Sequence, residues 1–115
     1  MISKKYKGRC EKITLSKCKT VCRTYNSVQL AYAKALDEND MIVSFQCNVL
    51  LEGFPEGSYM TDFLCVKTDG DLMVRECVLR HLISKPKTAR LLQASQEYWH
   101  RRGVEDWGIV VDAKE

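Results

Sequence analysis

The sequence has no long apolar run. No stretch of the 115 residues approaches the roughly 20 apolar residues that a membrane-spanning helix needs. No hydrophobic region follows the lysines near the N-terminus, so no secretory signal peptide is indicated. Internal repeats and low-complexity segments are also absent, which argues against a repeat protein. We therefore expect a cytoplasmic protein that does not use a membrane.

Histidine is scarce, with two residues, whereas cysteine occurs six times. In the reducing cytoplasm these thiols are expected to stay free. The spacing of Cys10, Cys18 and Cys22 matches no zinc finger, and no histidine lies near them, so the zinc signal in this segment is weak. The other three cysteines lie within strand patterns and are expected to be small buried apolar side chains: Cys47, Cys65 and Cys77.

The net charge of +3 is small, but its distribution is uneven. Residues 1–24 contain a single acid, Glu11, against eight cations: Lys4, Lys5, Lys7, Arg9, Lys12, Lys17, Lys19 and Arg23. Such a basic arm either contacts phosphates or is a solvated tail. We divide the chain into this arm and one folded domain over residues 25–115, which is large enough for a modest core.

Apolar periodicity predicts two helices and four main strands. Asn26 or Ser27 is expected to begin the first helix, Pro86 to lie in the first turn of the second, and Gly103 to end it. In the first strand the buried face is expected to be the one with Val43 and Phe45. The elements are a helix over 27–37, strands over 41–51, 59–67 and 71–80, a helix over about 85–102, and a strand over 107–111 that looks covered on both faces.

Two acids interrupt the apolar pattern of the second and third strands. Asp62 shares its predicted face with Met60 and Leu64, and Glu76 shares its face with Val74 and Val78. A carboxylate on an apolar face is costly unless it is paired, hydrogen-bonded or bound to a metal ion. These two acids are therefore the main candidates for a site.

The turn between these strands decides whether the acids meet. If Thr68, Asp69 and Gly70 form a three-residue loop, Lys67 pairs with Asp71 and Asp62 lies opposite Glu76. If Asp69 and Gly70 alone form the loop, Asp62 faces Cys77 and Glu76 points the other way. We expect the first register, because it gathers the apolar side chains on one common face.

The order αβββαβ, with acids on its second and third strands, resembles the restriction-endonuclease-like core of the PD-(D/E)XK nuclease superfamily. In detail the chain is similar to the N-terminal domain of TnsA-type transposon endonucleases. The resemblance covers roughly residues 25–113 and rests on the segments SVQLAYAKAL, YMTDFLCVKTDG, VREC and ASQEYWHRRGVEDWGIVVD. It implies an α/β fold with a mixed central sheet flanked by helices. It also implies Mg²⁺-dependent cleavage of DNA by carboxylate-bound metal.

Residue by residue, the resemblance implies that Asp62 and Glu76 are the catalytic and metal-binding acids. Gln29 occupies the position of the family's helix glutamate, and would bind a metal only through its carbonyl oxygen. The family's lysine is missing, because its position falls on Val78 or, with a shift of one residue, on Cys77. Arg80, two residues further along, is a candidate to reach back to the acids. An active site with these departures is degenerate.

A basic rim beside the acids is the candidate DNA-binding surface. Its members are Arg75, Arg80, Lys85 and Lys87. The expected partners are DNA, a transposase or other protein, and a second copy of the chain. The sequence leaves two functions open: a DNA-binding protein of a mobile element or phage that retains or has lost cleavage, and an inactive nuclease-fold protein that regulates or inhibits a protein partner.

Overall fold

The computed structural model describes residues 10–112. These residues form an α/β fold with two helices, six strands and one short 3₁₀ helix. The elements are β1 (Glu11–Ile13), β2 (Cys22–Thr24), α1 (Ser27–Glu38), β3 (Ile42–Leu50), β4 (Met60–Lys67), β5 (Leu72–Val78), the 3₁₀ helix (Arg80–Leu82), α2 (Pro86–Arg101) and β6 (Asp106–Val111). The order predicted from the sequence, αβββαβ, is therefore present from α1 to β6.

The central sheet is mixed and has the strand order β3-β4-β5-β6. The first two pairs are antiparallel, and β6 runs parallel to β5. Because parallel neighbours need a crossover, the chain passes through α2 between β5 and β6. This topology places both acid-bearing strands in the centre of the sheet.

Two apolar clusters cover the two faces of this sheet. One joins side chains of α1, including Val28 and Leu36, to Phe45 and Phe63. The other joins α2, through Leu91 and Trp99, to Val74 and Tyr59. The molecule is therefore built as helix, sheet and helix, and the sheet interior is removed from water on both sides.

The residues that begin and end the helices act as the sequence predicts. Asn26 is the N-cap of α1, and its side chain accepts from the backbone N–H of Gln29 at 2.9 Å. Pro86 is the first residue of α2. Gly103 follows α2 with φ +85, a conformation that side chains with a Cβ rarely adopt. Within residues 10–112, no helix combines the length and the apolar character needed to cross a membrane.

The predicted basic arm includes a small ribbon that packs on the fold. β1 and β2 pair antiparallel, and Cys18 and Cys22 belong to the same core cluster as Phe45. The backbone N–H of Phe45 also donates to the carbonyl of Lys17 at 2.9 Å. Residues 10–24 are thus attached to the sheet, whereas four predicted cations of the arm lie outside the described residues: Lys4, Lys5, Lys7 and Arg9.

One prediction about strand faces is wrong in part and one is wrong. In β3 Phe45 is buried as expected, at 1 % exposed, but the register shifts between Ile42 and Ser44, and this irregularity buries Ile42 and leaves Val43 55 % exposed. β6 is an edge strand rather than one covered on both faces, and Ile109 is 41 % exposed. A continuous apolar run does not distinguish a half-covered edge strand from a central one.

Candidate functional site

The turn after β4 takes the predicted three-residue form. The N–H of Lys67 donates to the carbonyl of Asp71 at 2.9 Å, and Gly70 has φ +90. The register continues through Val66 opposite Leu72 to Phe63 opposite Arg75. The expected register is therefore confirmed, and the next positions along both strands are Asp62 and Glu76.

The strict alternation of side chains along β4 ends at Asp62. Phe63 lies in the cluster under α1, whereas Thr61 receives a hydrogen bond from Trp99 of α2. Residues two apart on a regular strand share a face, so β4 must turn about its axis between them. The partner position on β3 is Asn48, which has φ 58 and is skipped in the register. The prediction that Asp62 simply shares a face with Met60 and Leu64 is wrong for this reason.

The backbone pairing of β4 and β5 ends before Asp62 and Glu76, and hydrogen bonds accepted by these two acids connect the strands instead. Beyond the Phe63–Arg75 pair, the N–H of Asp62 donates to Glu76 Oε1 at 3.1 Å. In return, the N–H of Cys77 donates to Asp62 Oδ2 at 2.7 Å. Each carboxylate thus binds a backbone amide of the opposite strand, an arrangement we call the carboxylate bridge. Asp62 and Glu76 are both 0 % exposed.

Gln29 connects the carboxylate bridge to α1. Its Nε2 donates to Asp62 Oδ1 at 3.1 Å and to Asn48 Oδ1 at 2.8 Å. Its Oε1 accepts from the N–H of Tyr25 at 2.9 Å. The amide orientation is fixed by these partners, so Gln29 presents hydrogens to Asp62 while its carbonyl oxygen is used elsewhere. The sequence-predicted site residues Asp62, Glu76 and Gln29 are brought together, with Gln29 as a hydrogen-bond donor.

Two hydroxyls and two indoles connect the bridge to α2 and β6. Glu76 Oε2 accepts from Thr61 at 2.8 Å and from Ser95 at 2.6 Å. The indole of Trp99 donates to the Thr61 hydroxyl at 2.8 Å, and that of Trp107 donates to the Ser95 hydroxyl at 3.1 Å. Ser95 was not among the site residues predicted from the sequence. The available signal was a small polar residue on an otherwise apolar helical stripe.

The two acids also affect the pKa of the buried phenol of Tyr59. Desolvation by burial is the main cause that raises its pKa, and the charges of Glu76 and then Asp62 raise it further. Tyr59 stacks on Phe54 with ring centroids 4.7 Å apart. The region around the bridge is therefore apolar, with polar groups that point inward and bond to each other.

The position expected for a catalytic lysine is apolar in the structure as well as in the sequence. Val78 is 5 % exposed and Cys77 1 % exposed. β5 ends at Val78, so Arg80 lies in the 3₁₀ helix and does not continue the face of Glu76 as expected. Its guanidinium donates to the carbonyl of Asp112 at 2.7 Å. Arg80 therefore binds the end of β6 rather than reaching back to the acids.

The remaining residues of the predicted basic rim are not grouped around the acids. Arg75 forms an ion pair with Asp106 at 2.8 Å and lies against Gly108, where an added Cβ would come within 3.3 Å of the guanidinium. Lys85 and Lys87 are exposed at the start of α2. The side chains of these two lysines form no hydrogen bond or ion pair within residues 10–112, which makes them the more accessible cations of the rim.

The arrangement of donors does not fit Mg²⁺. This ion requires nearly octahedral oxygen coordination and usually keeps several of its waters. Here both carboxylates are fully buried and accept from neutral protein donors. Asp62 also meets the amide NH₂ of Gln29 at the position where the resemblance places a helix acid. The structure therefore supports a fold-stabilising role for these acids, and the predicted Mg²⁺ dependence stays a prediction.

Comparisons with known proteins give no independent assignment. No protein-family model matches the chain, and no curated protein matches it.

Proposed function

We propose that this chain is a nuclease-like-fold protein that binds DNA and does not cleave it. The observation that supports DNA binding most directly is on the ribbon, where Lys12 is the cross-strand partner of Arg23 and both are exposed. Like charges directly opposite each other on two strands are destabilising. A phosphate between them removes this cost and adds charge-assisted hydrogen bonds.

The proposed loss of cleavage follows from the carboxylate bridge. A metal-dependent nuclease needs acids that open to solvent and a positive group beside them. The acids of this chain are buried, and Val78 and Cys77 stand where the resemblance places the lysine. We propose that the nuclease-like outline was kept and the chemistry lost.

DNA binding can be tested by fluorescence anisotropy with a labelled duplex over a series of salt concentrations. We expect the variant K12Q/R23Q to bind more weakly at low salt. The slope of log K against log salt concentration should be shallower by about 0.9, since the variant loses one phosphate contact and each contact contributes about 0.9. K34Q/R101Q, which removes the same charge from exposed helix positions, is the matched control. K85Q/K87Q tests the start of α2 separately.

Equal losses in K12Q/R23Q and in the control would contradict the proposed ribbon contact, and absence of salt-dependent binding would contradict DNA binding. Cleavage is measured on supercoiled plasmid with Mg²⁺ or Mn²⁺. We expect none. Nicking that disappears in D62N would overturn the proposal that the chemistry was lost.

Binding to a protein partner is the second candidate. It is favoured by exposed apolar side chains along β3, an edge strand: Met41 is 59 %, Val43 55 % and Leu50 60 % exposed. The partner that can be tested at once is a second copy of the chain. Sedimentation velocity would show a dimer that V43K dissociates; a monomer at all concentrations would exclude self-association.

A further inference from the structure

Two neighbouring cysteines of the ribbon segment and one distant cysteine of the sheet meet where the ribbon packs on the sheet. Cys18 lies in the connection between β1 and β2, Cys22 begins β2, and Cys47 lies on β3. Their Sγ atoms all lie within 4.8 Å of one another. The hydrogen bond from Phe45 N–H to the carbonyl of Lys17 holds the two segments together at this point.

We propose that Cys18, Cys22 and Cys47 form a site for Zn²⁺, with a water molecule as the fourth ligand. A tetrahedral Zn²⁺ with Zn–S bonds of about 2.3 Å has its sulfur ligands about 3.8 Å apart. The three thiols therefore need to close by at most about 1 Å to bind the ion. Small adjustments of cysteine rotamers at the junction of the ribbon and the sheet are enough for this.

Backbone amides contribute to the surroundings of two of the three sulfur atoms. The backbone of Thr20 acts on the sulfur of Cys18, and that of Arg23 on the sulfur of Cys47, and both interactions favour the thiolate. Amide donors to sulfur are the kind of outer interaction that holds zinc ligands in place. Thiolates prefer soft or borderline ions, so this site would select Zn²⁺ and Cd²⁺ over Mg²⁺.

Cys10 offers a matched control because it lies near the site but on the other side of the ribbon. Ile13 pairs with Cys22 and Glu11 with Thr24, so these residues share one face of the ribbon. Continuing the alternation places Cys10 on the opposite face, beside Arg23 and Tyr25. In agreement, Cys10 is close enough to the Tyr25 hydroxyl to raise its pKa, after desolvation by burial. Cys10 is therefore not expected to bind the ion.

The test uses the full chain purified under reducing conditions, loaded with Zn²⁺ and dialysed against buffer without chelator. Elemental analysis should give about one zinc ion per chain. C18S, C22S and C47S should each lose it, and C10S should keep it. Because Cys18 and Cys22 are buried, circular dichroism checks that the variants fold; the half-buried Cys47 provides the variant most tolerant of serine.

A second measurement uses Co²⁺ in place of Zn²⁺. Tetrahedral thiolate ligation predicts strong visible d–d bands and thiolate-to-metal charge transfer, both absent in C47S and present in C10S. The melting temperature should rise with Zn²⁺ and fall with chelator only when the three thiols are present. Failure of the fully reduced, folded chain to retain zinc would overturn the proposal. A mass loss of two hydrogens, showing a disulfide among these cysteines in a protein that takes up no zinc, would also overturn it.

Discussion

Asp62 accepts hydrogen bonds from two donors whose orientation is fixed. One is the backbone N–H of Cys77, and the other is the NH₂ of Gln29, whose orientation is fixed by Tyr25 and Asn48. Glu76 differs, because Thr61 and Ser95 bind it through hydroxyls, which can rotate and can also accept hydrogen bonds. The two acids are thus equally buried but unequally replaceable by amides.

This difference predicts unequal effects for two isosteric substitutions. In D62N an NH₂ replaces one of the two carboxylate oxygens, and it then faces an N–H donor instead of accepting from it. We expect this to lower the free energy of unfolding by about 2–4 kcal/mol. E76Q should cost less, about 1–2 kcal/mol, because the Ser95 and Thr61 hydroxyls can each accept from the new NH₂ in addition to the indole that already donates to them. Urea denaturation measures both, with the exposed E97Q as control. Equal losses would contradict the assigned hydrogen bonds.

The substitution Q29E introduces the acid that the family resemblance implies on the first helix, and it provides a second test at the residue scale. Q29E would put a carboxylate oxygen against Asp62 Oδ1 and remove a donor from Asn48. We expect a loss of roughly 2–4 kcal/mol at neutral pH, which added Mg²⁺ does not recover. Thermal melting with and without Mg²⁺ checks this. Recovery by the metal would show that three oxygen groups at this point form a working cation site.

At the scale of elements, Asp106 at the start of β6 ties three strands together. It accepts from Lys67 of β4 at 2.9 Å and forms the ion pair with Arg75 of β5. The pKa of Asp106 is lowered mainly by the hydrogen bond from Lys67. The hydrogen bond from Arg75 and the positive charges of both residues lower it further, whereas burial raises it. Because the folded pKa lies below the unfolded value of about 3.9, its stabilising contribution is present above that pH.

The corresponding prediction concerns D106N. Above about pH 5 the variant should be less stable than the wild type, by about 1 kcal/mol or less because the pair is partly exposed. The difference should shrink as the pH falls through the lowered folded pKa of Asp106, where the wild type also loses the charge. Denaturation from pH 2 to 7, with E105Q as the exposed neighbouring control, measures it. A difference that persists at pH 2 would contradict an ionic origin.

Elements with strong local signals could be predicted from the sequence. The Asp69–Gly70 turn fixed the register of β4 and β5, because only a left-handed Gly70 closes the three-residue loop, and this brought Asp62 to Glu76. Asn26 and Pro86 likewise begin their helices as expected. These features depend on interactions within a few residues, which sequence patterns report well.

Features that depend on distant contacts could not be predicted in this way. Asn48 adopts φ 58 while bonded to Gln29 and to the carbonyl of Arg23, and nothing around it in the sequence marks this conformation. The register shift in β3 and the end of side-chain alternation at Asp62 also depend on contacts between distant parts of the chain. Cys47 meets Cys18 and Cys22 only because the ribbon packs on β3. Spacing alone had grouped Cys18 and Cys22 with Cys10.

At the scale of the whole molecule, the two acids join every layer of the fold. Through Gln29 they reach α1, through Ser95 and Trp99 they reach α2, and through Trp107 they reach β6. A polar network that spans both faces of a sheet is costly unless all its groups are satisfied, and it then specifies one arrangement of the layers. We expect unfolding to be cooperative, with no separate loss of α1 or α2.

The most direct test of this account is an ¹⁵N–¹H NMR titration with Mn²⁺, which broadens signals of nuclei near a bound ion. We predict that the amide signals of Asp62 and Cys77, the two backbone donors of the carboxylate bridge, keep their intensity relative to the rest of the sheet. Selective broadening of these two signals at low Mn²⁺, absent in D62N, would contradict the account and show that the acids bind a metal ion.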